Sequence, residues 1–202
     1  MTPDEDRSPI DWETRFRDND TPWERATVHP AFAAWEASGA FIADERVVVP
    51  GCGRSPEVLA FAKAGLTAAG IDLSPTAIDW QTDQFATAKQ SARLIAGDVL
   101  AWTPPEPVDL VYDQTFLCAI HPRLRSDYET TLLRWLKPGG RMLALFMQKD
   151  ERGGPPYGCP LDVMRDLFSD MRWRWPEPET ISTWPHPQLN GKPELSAVLV
   201  KR

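Results

Sequence analysis

Short apolar runs alternate with amphipathic stretches along most of the chain. The apolar runs are rich in valine, leucine, isoleucine and alanine and are bounded by glycine, proline or acidic residues, a pattern that is typical of buried strands. We predict strands at residues 46–50, 66–73, 92–96, 108–112, 141–147 and 195–200.

The stretches between these strands carry the start and stop residues of helices. Ser55-Pro56 and Ser74-Pro75 each supply an N-cap followed by a proline at the first helical position, and Gly65 supplies a stop. Strands that alternate with helices favour a doubly wound α/β fold, in which ligands bind beyond the carboxyl ends of a mostly parallel sheet. We predict helices at residues 55–64, 75–88, 122–136 and 161–168.

Composition narrows the class of protein. The chain has 202 residues, a length that fits one domain, and its net charge of −7 without a basic stripe disfavours nucleic-acid binding. Its three cysteines lack paired spacing, which disfavours a disulfide framework or a zinc site, so we expect no metal. The apolar runs are too short for a membrane span and the acidic N-terminus does not resemble a signal peptide, which predicts a cytoplasmic protein.

Glycines and an acid follow the first two predicted strands. Gly51-Cys52-Gly53 permits a sharp turn and close approach of a ligand, and the next helix points its N-terminal amides toward the same place. Asp72 ends the second strand, where a carboxylate of a nucleotide-binding fold accepts hydrogen bonds from the ribose hydroxyls. A plain turn and a helix N-terminal acid are the alternative interpretations of these two features.

Acids also follow the third and fourth predicted strands. Asp98 is placed to accept a hydrogen bond from the exocyclic amine of adenine, with Val99 and Leu100 covering the ring. Asp113, in the polar segment 112–115, would face the reacting end of the same ligand. For both acids a role as a turn residue is the alternative.

The glycine loop distinguishes between two nucleotide cofactors. A dinucleotide site carries a third glycine after the GxG pair, whereas this loop continues with Arg54-Ser55-Pro56, which disfavours NAD. A Lys-Pro-Gly-Gly segment before a strand, here residues 137–140, is common in methyltransferases that use S-adenosylmethionine (SAM). We therefore favour SAM as the cofactor and S-adenosylhomocysteine as its product.

Several segments between about residues 10 and 160 together form a more specific pattern. They are Trp12 with Thr21-Pro22-Trp23, and residues 49–53, 70–74, 97–99, 112–116, 119–122 with Arg125 and Tyr128, and 153–157. On these segments the chain resembles the thiopurine S-methyltransferase family, and within it the thiol, thiocyanate and halide methyltransferases. Phe16 stands where many relatives carry a tryptophan, so it keeps the apolar surface but lacks an indole N–H.

The resemblance implies a fold and a cofactor site. It implies a seven-stranded, mostly parallel, Rossmann-like class I methyltransferase domain at residues 41–202, whose last hairpin is reversed. It also implies a helical cap at residues 1–40 that closes over SAM, with two tryptophans at the methionine end of the cofactor. The side chain of Cys52 we interpret as a small buried one. The implied cofactor-binding residues are Trp12, Trp23, Gly51, Cys52, Gly53, Asp72, Leu73, Asp98, Val99 and Asp113.

The implied reaction is methyl transfer to a small-molecule sulfur (a thiol, thiopurine or thiocyanate) or to a halide or chalcogen acceptor. Asp113 would act at the reacting end, Arg125 would hold an anionic acceptor, His121 would relay a proton, and Tyr157 would line the acceptor pocket from a mobile lid. A solvated helix charge, a turn residue before proline and a rigid loop are the alternatives for the last three. Three other residues we interpret as structural: His29, His186 and Cys118.

Two other functions stay open beside this one. If the loops bind SAM but no methyl transfer takes place, the chain is a SAM-binding regulatory module that has lost catalysis. If they bind NAD instead, it is an NAD-dependent oxidoreductase. In the leading hypothesis the partner is a small-molecule acceptor, without nucleic acid or membrane, and the protein is a monomer or a weak homodimer.

Overall fold

The sheet described by residues 10–186 and 191–202 of the computed structural model has eight strands. They are β1 (Arg46–Pro50), β2 (Thr67–Asp72), β3 (Arg93–Ala96), β4 (Val108–Asp113), β5 (Leu136–Met147), β6 (Trp173–Arg174), β7 (Ser182–Pro185) and β8 (Pro193–Lys201).

Seven α-helices connect or flank these strands within the same described residues. They are α1 (Trp12–Arg17), α2 (Pro30–Ala37), α3 (Glu57–Lys63), α4 (Pro75–Ala88), α5 (Phe116–Ala119), α6 (Arg125–Trp135) and α7 (Leu161–Leu167). Single turns of 3-10 helix stand at Pro122–Leu124 and Pro178–Thr180.

The strand order confirms the predicted doubly wound, mostly parallel fold. Along the sheet it runs β3-β2-β1-β4-β5-β8-β6, with β1 to β5 parallel and β8 antiparallel to β5. Because β5 occupies one edge of β8, the short strands β6 and β7 share the other edge, at opposite ends of β8. The sheet is therefore seven positions wide, as predicted, and its last position is divided between two strands.

Each face of the sheet packs on its own layer of helices. Val48 of β1 belongs to one core layer together with Trp135 of α6 and Met164 of α7. Val49, its neighbour on the opposite face, belongs to the other layer together with Phe61 of α3. This alternation along a strand that is buried on both faces explains why β1 is apolar at nearly every position.

Two predicted boundaries near the middle of the chain are wrong. The helix predicted at 122–136 divides into a 3-10 turn and α6, and β5 begins at Leu136 rather than at residue 141. Leu136 pairs with Val108 of β4, so the Lys-Pro-Gly-Gly segment 137–140 already lies in the extended strand, beside an irregularity in the register of β4. Proline and glycine end a helix, but they do not decide whether the chain then turns or extends.

The first helix is docked on the sheet through a polar contact. Glu13 of α1 accepts hydrogen bonds from the hydroxyls of Ser74 (2.5 Å) and Thr76 (2.6 Å) at the start of α4. Ser74 also caps α4, because its hydroxyl accepts a hydrogen bond from the N–H of Ala77 (3.1 Å). One hydroxyl thus starts a helix and connects it to the N-terminal segment.

Replacing Ser74 with alanine should destabilise the protein. The variant loses the N-cap of α4 and one hydrogen bond to a carboxylate, which together predict a loss of about 1–2 kcal/mol in the free energy of unfolding, measured by urea denaturation. Ser91→Ala, at an exposed loop position, is the matched control and should stay within about 0.5 kcal/mol of wild type. Equal stability of the two variants would contradict the capping role.

Candidate active site

The carboxyl ends of β1 and β2 meet at a buried carboxylate. The backbone N–H of Gly53 donates a hydrogen bond to Oδ2 of Asp72 (2.8 Å), and the N–H of Ser74 donates to Oδ1 (2.9 Å). Asp72 is only 6% exposed; burial raises its pKa, and the two amide hydrogen bonds act against that shift. Gly51 and Gly53 have φ angles of +55° and +47°, which glycine adopts without strain. The predicted glycine loop and acid are therefore in direct contact.

Aromatic residues of the N-terminal segment cover this loop. A Cβ atom at Gly53 would lie 2.9 Å from the ring of Phe16, so close packing also requires glycine there. Trp23 packs edge-on against Phe16 and Trp12, with ring centroids 6.0 and 5.6 Å apart. Arg54 fastens the segment by donating a hydrogen bond to the carbonyl of Phe16 (2.6 Å). The contact of the two tryptophans with a cofactor, and the division of the chain at residue 40, stay predictions.

A crevice with about 450 Å³ of empty space, its open mouth included, lies between the N-terminal segment, the glycine loop and the end of β4. It is lined by residues 23–25, 49–57, 112 and 114–115. The hydroxyl of Tyr112 donates a hydrogen bond to Oε1 of Gln114 (3.1 Å). The amide nitrogen of Gln114 is then the part of that side chain that remains to donate to a ligand.

Asp113 lies behind the crevice rather than in it, which corrects the role predicted for it. Its carboxylate accepts hydrogen bonds from the hydroxyl of Tyr128 (2.7 Å) and from the N–H of Leu117 (3.2 Å), and the residue is 1% exposed. Burial raises the pKa of Asp113 to about 6, against the lowering effect of the Tyr128 hydrogen bond. Its neighbours Tyr112 and Gln114 line the crevice instead.

Arg125 is also buried, so the structure does not support its predicted role as holder of an anionic acceptor. Its Nε donates a hydrogen bond to the carbonyl of Leu117 (3.3 Å), and Nη2 donates to the carbonyl of Gly158 (3.0 Å) and to the sulfur of Cys159 (3.3 Å). Neither of the predicted functions, anion binding or a solvated helix charge, matches this environment. Arg125 instead ties α5 to the loop that precedes α7.

His121 and Tyr157 contact each other outside the residues that line the crevice. Their rings are 5.5 Å apart in an edge-on arrangement, and Nδ1 of His121 accepts a hydrogen bond from the N–H of Arg123 (3.2 Å). The N–H of Tyr157 donates to the carbonyl of Cys118 (2.7 Å), which fastens the loop at Tyr157 to α5. The turn-residue interpretation of His121 agrees with this geometry, and a proton relay or an acceptor pocket at this pair stays a prediction.

The remaining predicted cofactor residues differ in how far their side chains are exposed to solvent. Leu73 is 55% exposed beside the buried Asp72, and Asp98 is exposed just past the end of β3, the strand that pairs with β2. The side chains of Val99 and Cys52 belong to the core, so Val99 does not offer a free apolar wall for an adenine ring. Burial raises the pKa of the Cys52 thiol well above its usual value, which agrees with an inert, small buried residue.

Several polar residues that line the crevice were not predicted from the sequence. Glu24 and Arg25 follow directly after the Trp23 motif, and Arg54 and Glu57 follow the glycine loop. Their position next to two recognised motifs is the one feature of the sequence that pointed to them. Glu24 and Arg25 were not predicted because the rule that ligands bind after strands does not apply to an N-terminal segment.

Two general findings bear on the kind of site this is. Over residues 10–186 and 191–202, no helix combines the length and the apolar character needed to cross a membrane. Across the same residues, His, Cys, Asp and Glu side chains nowhere form a group of three or more that would hold a metal ion.

Comparisons with known proteins agree with this architecture. A family model described as thiopurine S-methyltransferase matches residues 7–195. The probable thiol methyltransferase 2 of Arabidopsis thaliana is 35% identical over 149 residues, which cover 72% of this chain and 66% of that protein. A thiopurine S-methyltransferase of Vibrio cholerae is 30% identical over 178 residues, 80% of this chain and 81% of that protein.

A solved structure with the same fold supports the class. The 1,6-didemethyltoxoflavin-N1-methyltransferase of Burkholderia thailandensis, with bound S-adenosylhomocysteine, superposes with a TM-score of 0.72 at 17% identity. The match covers 96% of this chain and 92% of that one. The fold is therefore that of the class I SAM-dependent methyltransferases.

The raised pKa of Asp113 predicts a pH-dependent stability that Asp113→Asn should remove. The unfolded carboxyl ionises near its ordinary value of 3.8, whereas the folded one ionises at about 6, so between these values the folded state binds more protons and stability falls as pH rises. Urea denaturation from pH 4 to pH 7 should show a loss of about 2 kcal/mol in wild type relative to the variant. Parallel profiles for the two proteins would contradict the assignment.

Proposed function

The chain belongs to the thiopurine S-methyltransferase family, and we propose that it transfers the methyl group of SAM to a small sulfur acceptor. The names of both relatives specify a sulfur acceptor, a thiol in one and a thiopurine in the other. The observation that carries the proposal is the hydrogen bond from Gly53 to Asp72, which joins the glycine loop lining the crevice to the acid that we expect to bind the ribose.

The residues present fit the nucleoside half of SAM. Each oxygen of Asp72 accepts one amide hydrogen bond and keeps lone-pair capacity for a ribose hydroxyl. The exposed Leu73 offers apolar surface beside it, and the exposed Asp98, just past the end of the neighbouring strand β3, offers an acceptor for an adenine amine. An acid, an apolar side chain and a second acid in this order match ribose and adenine lying across β2 and β3.

Bound SAM supplies an electrophilic methyl group on a sulfonium, whose thioether leaving group is neutral and needs no acid. The protein therefore contributes mainly by holding the acceptor in line with the methyl group, and such positioning is worth up to about 7–11 kcal/mol. The aromatic cluster of Trp12, Phe16 and Trp23 excludes water from the glycine loop, and Gln114 and Thr115 supply polar contacts at the end of β4.

Deprotonation of a thiol acceptor does not depend on a strong base in the crevice. Among the described residues that line it there is no histidine, and its acids are the carboxylates Glu24 and Glu57. An ordinary carboxylate is a weaker base than a thiolate by about four pKa units, so it cannot efficiently remove the thiol proton. We infer that a thiol acceptor enters the crevice as its thiolate, formed in solution.

Replacing Asp72 should weaken binding of the cofactor product. Asp72→Asn keeps the size of the side chain but loses the charge that strengthens its hydrogen bonds, so calorimetric titration should show at least about a tenfold weaker affinity for S-adenosylhomocysteine. Asp79→Asn, on the exposed side of α4, is the control and should bind like wild type. Absence of binding to the wild-type protein at millimolar SAM or S-adenosylhomocysteine would refute the proposed function.

The pH dependence of catalysis should follow the acceptor and not the protein. With a thiol acceptor, kcat/KM should rise about tenfold per pH unit up to the pKa of that thiol, because only the thiolate reacts. With thiocyanate, which stays ionised, the same profile should be flat above pH 6. A thiol profile that levels off well below the thiol's own pKa would show that a base of the protein takes the proton.

A further inference from the structure

Two charged side chains of opposite sign line the crevice, and each has a buried polar atom that makes no hydrogen bond to the described residues. Within residues 10–186 and 191–202, neither Oε1 of Glu24 nor Nε of Arg25 makes a hydrogen bond, although both atoms are hidden from solvent. Both residues line the crevice, as the glycine loop does. Buried polar atoms without a partner are rare in folded proteins, and at a concave site they indicate the chemistry of a ligand.

The guanidinium of Arg25 is held by the buried carboxylate of Glu194. Its Nη2 lies 3.2 Å from Oε2 of Glu194, and the same oxygen lies 3.0 Å from Nε2 of His29. Nδ1 of His29 accepts a hydrogen bond from the N–H of Ala31 (3.0 Å), so Nε2 carries the proton and donates to Glu194. Glu194 is almost fully buried, and the side chain of Arg25 is 11% exposed, so this network sets the direction of Arg25 and leaves Nε unused.

Glu24 is held on the other side by the arginine that fastens the N-terminal segment. Arg54 donates to the side chain of Asn19 (2.8 Å) and to the carbonyl of Phe16, while its Nε lies 4.0 Å from Oε1 of Glu24. That separation is too long for a hydrogen bond, so Oε1 remains an acceptor. Burial raises the pKa of Glu24, and a hydrogen bond with the side chain of Thr21 and the positive charge of Arg54 act against that shift.

We propose that Arg25 and Glu24 bind the two charges of the amino-acid end of the cofactor, Arg25 the α-carboxylate and Glu24 the α-ammonium group. This inference rests on the proposed function. A zwitterion satisfies both unpartnered atoms at once, whereas a simple anion would satisfy Arg25 and be repelled by Glu24. The N-terminal segment then binds the amino-acid end, and the sheet, through Asp72, binds the nucleoside end.

Calorimetric titration with ligands that differ only at this end tests the assignment. S-Adenosylhomocysteine carries the full amino acid, and 5′-methylthioadenosine lacks it. Glu24→Gln and Arg25→Lys should each bind S-adenosylhomocysteine about 10- to 100-fold more weakly than wild type and bind 5′-methylthioadenosine equally well. Lysine at residue 25 keeps a charge for Glu194 but has no Nε donor, which guards against loss of the fold. Glu36→Gln, exposed on α2, is the matched control.

Decarboxylated SAM separates the two charges. Arg25→Lys should bind it as wild type does, because the group that Arg25 contacts is absent, whereas Glu24→Gln should still bind it more weakly. The inference is overturned if wild type binds decarboxylated SAM as tightly as SAM, if both variants bind S-adenosylhomocysteine like wild type, or if each variant loses all ligands equally. Failure of wild type to bind any adenosyl ligand would instead refute the proposed function itself.

Discussion

The contacts of Asp72 hold together the parts of the candidate site that come from β1, β2 and the start of α4. A carboxylate buried at the end of β2 is costly unless its oxygens are hydrogen-bonded, and here the N–H groups of Gly53 and Ser74 satisfy them. These two bonds hold the loop after β1 and the start of α4 at one carboxyl group. Ser74 extends the connection through its hydroxyl to Glu13, so the N-terminal segment is positioned by the same few atoms.

A second buried carboxylate serves the other side of the crevice in a different way. Asp113 at the end of β4 is enclosed by Tyr128 and the start of α5, with Arg125 near enough to stabilise its charge. Asp113 and Arg125 are buried and do not line the crevice, whereas Gln114 and Thr115, which follow Asp113, do. Asp72 and Asp113 end the two strands that flank β1; the first contacts the glycine loop, and the second supports the end of β4 from the interior.

The central fold could be predicted from the sequence because its strands are buried on both faces. The apolar runs of β1, β2 and β4 identify strands at nearly the observed bounds, and the serine-proline pairs identify the starts of α3 and α4. The edge of the sheet could not be predicted in the same way. The strand β6 has two residues and β7 has four that are mostly exposed, so neither leaves an apolar pattern, and only pairing with β8 makes them strands.

The sequence predicts which loops meet at the candidate site, but not which of their side chains line it. The carboxyl ends of parallel strands converge, so the loops after β1 and β2 were correctly expected to meet, and the contact between Asp72 and Gly53 follows from that topology. Which residue of a loop faces the crevice depends on how the side chains are buried when the chain folds. Arg125 was predicted to bind an anion because of its charge, but it is buried against Gly158, and the arginine that lines the crevice beside the N-terminal motif is Arg25. The rule that ligands bind after strands does not apply to the N-terminal segment. Its charged residues Glu24 and Arg25 line the crevice because the aromatic cluster and Arg54 hold the segment there. A polar side chain without a partner, which becomes visible only once the chain is folded, is therefore the stronger guide to ligand contacts in such segments.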